Sequence, residues 1–74
     1  MPHITIRHLP VELDEQRHKA LVSEVTEAVR SAFGVDESVI SIALKPVAPE
    51  AWNEQVYIPE IANRRDLLSK VPDY

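Results

Sequence analysis

The chain has 74 residues, no cysteine, and a formal net charge of −4 from 8 Lys and Arg against 12 Asp and Glu. No disulfide or thiolate-zinc framework can form, and the acidic balance argues against nucleic-acid binding, which needs a basic surface. A single domain of this size, residues 1–74, buries only about 60% of the surface its unfolded chain exposes, which leaves oligomerisation as the remaining source of stability.

The opening stretch, Met1-Pro2-His3-Ile4-Thr5-Ile6, lacks the basic-then-apolar layout of a signal peptide. No apolar run approaches the roughly 20 residues of a membrane span. The expectation is a soluble, unexported, cytoplasmic protein. Ile4 and Ile6 alternate with Thr5 and Arg7 before Pro10, so His3 to Leu9 reads as a short strand stopped by a residue that cannot continue a ladder. From about Asp14 to Phe33 the apolar residues Leu21, Val25, Ala28 and Ala32 recur at helical spacing, widened by Val22, Val29 and Phe33. Asp14 is placed to cap this helix, and Gly34, the only glycine, to end it. Val39 to Val47 is β-branched and almost continuously apolar, as a strand covered on both faces should be.

Strand, long helix and strand make a β-α-β unit with parallel strands, an α/β fold. Pro49 to Trp52 reads as a turn. Pro59 to Lys70 is expected to form a short C-terminal helix with Ile61, Leu67 and Leu68 inward, ended by Pro72. One helix covers one face of a two-stranded sheet, and two strands alone are marginal in water. The sheet is therefore expected to be completed by self-association with another copy of the chain.

Conventional catalytic groups are scarce. There is no phosphate-cradling glycine loop and no nucleophile elbow, the serines have no triad context, and His3, His8 and His18 show no ligand spacing. The unusual candidate is Pro2, whose small size suits removal of Met1. A proline freed in this way carries a secondary amine. An α-amino group titrates near 7.7–8.0, and burial among apolar groups lowers such an amine because desolvation disfavours the ammonium. It would then serve as a general base near neutral pH. The competing reading is a proline that merely starts an edge strand.

Met1-Pro2-His3-Ile4-Thr5-Ile6, then Asp14-Glu15-Gln16 opening a long helix, then Ser38-Val39 before the second strand together resemble the 4-oxalocrotonate tautomerase family. The likeness covers nearly the whole chain. Pro49-Glu50-Ala51-Trp52 and the ending Lys70-Val71-Pro72-Asp73-Tyr74 are most similar to its dimeric subgroup acting on aryl-pyruvate enols. The resemblance implies an enol–keto tautomerase that uses the Pro2 amine as base, needs no cofactor, and works as a homo-oligomer, a dimer in preference to a hexamer. Its substrate would be a small enol or keto acid such as phenylpyruvate enol. Trp52 stands where the family walls the proline pocket with an aromatic, though a tryptophan also serves as core or interface.

Two arginines grip a dicarboxylate in the family's namesake. Their places fall here on Glu12 and Ile40, and Glu12 would repel a carboxylate. That departure favours a monoacid, with Ile40 lining the pocket and Lys45 or Arg7 as candidate carboxylate donors. His8 is a lesser polar candidate, and Arg64-Arg65 is expected to face water. The alternatives are the same fold running dehalogenase, hydratase or decarboxylase chemistry on a charged Pro2, and a non-catalytic self-associating module. A retained Met1 would favour the module, because it makes the Pro2 nitrogen an amide.

Overall fold

The computed structural model describes residues 1–74. Strand β1 spans His3–His8, helix α1 Glu15–Phe33 and strand β2 Ser41–Pro46. The strands pair in parallel, with His3 opposite Ser41 and Arg7 opposite Lys45. This is the expected β-α-β unit. Helix α1 begins where Asp14 accepts the Arg17 backbone N–H at 2.7 Å. It ends at Gly34, whose φ of 65° is left-handed and whose N–H reaches the Arg30 carbonyl. Nothing lies within 4 Å of where a Gly34 side chain would start, so the backbone angle alone calls for glycine.

The half-buried stripe of α1 is Leu21, Val22, Val25, Thr26 and Val29. Ala28, Ala32 and Phe33 were expected on it and are exposed, Phe33 at 67%. β2 is shorter than the apolar run Val39–Val47 suggests, because Glu37–Val39 winds into a single 3-10 turn first. Along it, Ile42 and Leu44 are half-buried, whereas Ser41, Ala43 and Lys45 are exposed. Within one chain the second face of this strand stays open.

The C-terminal region departs most from expectation. Pro49–Ala51 forms the turn, but helical structure starts at Asn53, six residues before Pro59, and runs as a wide π-type helix to Ile61. A proline inside a regular α-helix drives its ring into the carbonyl four residues back. Widening the turn around Pro59 relieves that clash, so the proline sits within the helix instead of opening it. A 3-10 segment, Ala62–Leu67, follows. Ile61 and Leu68 are half-buried as expected, while Leu67 is 63% exposed. Residues 68–74 fold back without regular structure.

Only Val47 and Val56 are fully buried. The radius of gyration is 14.0 Å, against about 11 Å for a compact domain of this length. The chain exposes 5827 Å², against about 4,600 Å² for a compact monomer of its mass. No helix is long and apolar enough to cross a membrane.

Candidate active site

Pro2 lies at the start of the sheet. Its carbonyl accepts the Ser41 N–H at 3.2 Å, which seats Ile40 beside it, and both residues are half-buried. Met1 is 99% exposed. On the neighbouring exposed row, His3 bonds Ser41 through Nδ1 at 2.6 Å and the Thr5 hydroxyl through Nε2 at 3.2 Å. Its ring is held to the sheet surface.

The other expected site residues gather at the opposite end. Five steps along β1, at about 3.3 Å each, place Arg7 roughly 16 Å from Pro2. Arg7 is half-buried and lines a cleft of about 530 Å³ with Thr5, Trp52, Val56, Glu60 and Tyr74 among others. It belongs to none of the molecule's ion pairs. Lys45, its register partner on β2, is exposed. Two cations outside the ion pairs therefore stand on neighbouring strands at the end of the sheet, and Arg7 shares its cleft with the Trp52 indole. Glu60, across the cleft, is 3.6 Å from Arg64. Arg64 is thus engaged at the surface, as expected of the Arg64-Arg65 pair.

Trp52 is half-buried and lines this cleft and a second hollow of about 480 Å³ shared with Leu9, Pro49 and Tyr74. Pro2 and Ile40 line neither. The single chain thus brings Trp52 to Arg7, with Lys45 beside Arg7 on β2 but outside the cleft, and Pro2 to Ile40, without joining the two groups. His8 Nδ1–H donates to the Leu9 carbonyl at 2.7 Å, which makes it a strand-end residue. The residue that sequence reasoning left out is Tyr74. It stood only as part of a motif, and no spacing signals that a tail with no regular structure returns to Trp52.

The largest hollow lies elsewhere, about 640 Å³ lined by Ser23, Thr26, Glu27, Asp36, Glu37 and Ser38. Two of its three acids have local partners. Arg30 clasps Glu27 with bonds of 2.6 and 2.9 Å and holds that carboxyl below its ordinary range. The Ser38 hydroxyl does the same for Asp36. An acid-lined hollow repels a carboxylate substrate, so the functional candidates remain at the two ends of the sheet.

A parallel β-α-β unit with a proline at the head of its first strand fits a tautomerase fold. The family described as tautomerase enzyme matches residues 2–57, and the chain belongs to that family. It is similar to proteins named tautomerase PptA. One from Escherichia coli is 40% identical and one from Cronobacter sakazakii 38%, and one from Pectobacterium atrosepticum is 34% identical. Each comparison covers 100% of this chain and 97% of the relative. The chain is therefore an enzyme of the tautomerase class, an isomerase, and the reading as a non-catalytic module falls away.

Proposed function

We propose that the chain is an enol–keto tautomerase acting on 2-hydroxy-2-enoates such as phenylpyruvate enol, with the Pro2 amine as general base once Met1 is removed. The observation that carries this reading is the N-terminus itself. Met1 projects into solvent at 99% exposure, open to an aminopeptidase, while Pro2 behind it is half-buried and fixed to β2. The family match also opens on Pro2. Cleavage leaves a secondary amine beside Ile40, where partial desolvation lowers its basicity toward neutral pH. The neutral amine takes the C2 hydroxyl proton, the C2=C3 π electrons take a proton back from the prolinium at C3, and C2 is left as the keto carbonyl.

A second copy of the chain accounts for the distance between Pro2 and Trp52. Both strands of the sheet are edges, with unpaired backbone groups that invite another strand. A two-fold pairing of like edges runs antiparallel, so the start of one sheet meets the end of its partner. In such a dimer, Pro2 and Ile40 of one protomer would face the Trp52, Arg7 and Lys45 end of the other. The cations would hold the carboxylate and the indole would wall the pocket. Charge supports a monoacid, because Glu60 stands in the cleft and Glu12 lies in the loop before α1.

The test is ketonisation of phenylpyruvate enol by Met1-processed protein beside Pro2→Ala. The expected result is acceleration over buffer that falls at least roughly 100-fold in the variant, the lower end of a general-base contribution. Equal rates in both proteins would remove Pro2 from the chemistry.

A further inference from the structure

Tyr74 links the other two aromatic residues of this region, pairing with Tyr57 and sharing both the cleft and the neighbouring hollow with Trp52. Tyr74 comes to them from an irregular tail. Its ring lies 5.9 Å from that of Tyr57, tilted by 36°, a separation typical of favourable aromatic pairs. Leu68 lines the same cleft at the other end of the tail. Tyr74 nevertheless remains 58% exposed, so much of its ring is uncovered while it borders both the Arg7 cleft and the Leu9–Pro49–Trp52 hollow.

From this arrangement we infer that Tyr74 is a specificity-determining residue, which with Trp52 forms the receptor for the aryl ring of an arylalkanoate while Arg7 takes the carboxylate. The inference rests on the tautomerase reading for its substrate class and adds a residue to it. Three features support it. The cleft, at about 530 Å³, falls in the size range of small-molecule sites. Its lining combines the Arg7 guanidinium, which has no ion-pair partner, with Trp52 and Tyr74, and its one carboxylate, Glu60, is paired with Arg64 at 3.6 Å, which leaves Arg7 to a ligand that is anionic at one end and aromatic at the other. Tyr74 also reaches this cleft from an irregular tail and stays 58% exposed there, so a ligand in the cleft meets its open ring. A ring inserted between Trp52 and Tyr74 covers aromatic surface that the protein leaves open, and these stiff side chains lose little entropy on binding.

The chain contains a single tryptophan, so Trp52 fluorescence reports this site without any turnover. The experiment titrates processed protein with 3-phenylpropanoate, an inert aryl acid, and with propanoate as the ringless control. Phenylpropanoate should perturb Trp52 emission saturably and propanoate should not. Tyr74→Ala should weaken phenylpropanoate about tenfold, the scale of a lost aromatic contact with its buried area, and Tyr74→Phe should restore it. Unchanged affinity in Tyr74→Ala, or no response of Trp52 to phenylpropanoate, would overturn the inference. Rates on phenylpyruvate enol and on pyruvate enol, which lacks the ring, separate it from the catalytic reading. Loss confined to the aryl substrate in Tyr74→Ala supports the receptor, and equal loss on both overturns it. Normal ligand binding with no turnover of either enol would overturn the Pro2 mechanism and leave the receptor standing.

Discussion

Dilution should melt this protein. A chain of 8.4 kDa that exposes 5827 Å² carries about 1,200 Å² more surface than a compact monomer of that mass. A stable interface takes about 800 Å² from each partner, so the excess is enough to build one. If folding is coupled to dimerisation, each tenfold dilution removes about 1.4 kcal/mol from the dimer. For a folding unit of two chains, at about 2–4 °C per kcal/mol, that lowers Tm by roughly 3–6 °C. Over a hundredfold range of concentration the midpoint followed by circular dichroism should move roughly 6–12 °C. Sedimentation at the upper concentration should give twice the 8.4 kDa chain mass. A midpoint independent of concentration, together with the mass of one chain, would refute the coupling and with it the shared site.

Other outcomes follow from single residues. Gly34→Ala should cost about 1 kcal/mol, the price of a left-handed alanine, because the site has room for the methyl but not a favourable φ; Tm at fixed concentration should drop by roughly 4–8 °C. Arg7→Ala should raise KM for a monoacid enol about tenfold with kcat little changed, as loss of a charged hydrogen bond made equally in ground and transition states would; the exposed Lys45→Ala should do less. Glu27 and Asp36 have folded pKa values below their ordinary 4.5 and 3.8. Their contribution to stability is therefore complete above those values and lost as pH falls through the lower folded ones. Both are at the surface, so the effect is small, and it shows as a steeper fall of Tm between neutral and acid pH in the wild type than in Glu27→Gln. Parallel curves would contradict it.

The β-α-β frame was legible because its signals are local. Alternation in Ile4–Thr5–Ile6, the apolar spacing from Leu21 to Val29, and the caps Asp14 and Gly34 each act within a few residues. The C-terminal region was not legible in the same way. Pro59 marks a helix start in most sequences, and here it is absorbed by a widened turn that no propensity records. Phe33 and Ala32 fit the helical stripe yet remain exposed, because periodicity says which face is apolar and not whether anything in the chain covers it. The continuous apolar run of β2 signalled a second cover that a single chain does not provide. Pro2 and Trp52 were legible as candidates, but not their separation, since spacing along the chain says little about distance across the fold. Tyr74 was legible only as part of the C-terminal motif, not as a residue of the cleft, for a related reason. Its position depends on a fold-back that its neighbours, Val71-Pro72-Asp73, do not encode as a regular element.

The most direct test of the catalytic reading leaves every side chain in place and changes one nitrogen. Phenylpyruvate enol ketonisation is measured with protein shown by intact mass to begin at Pro2, beside the same chain carrying one additional residue before it. The extension turns the secondary amine into an amide with no basic lone pair. If Pro2 is the base, the extended chain loses at least roughly 100-fold in rate while 3-phenylpropanoate still binds at Trp52. Equal rates in the two proteins would contradict the mechanism and require a different proton acceptor at this site.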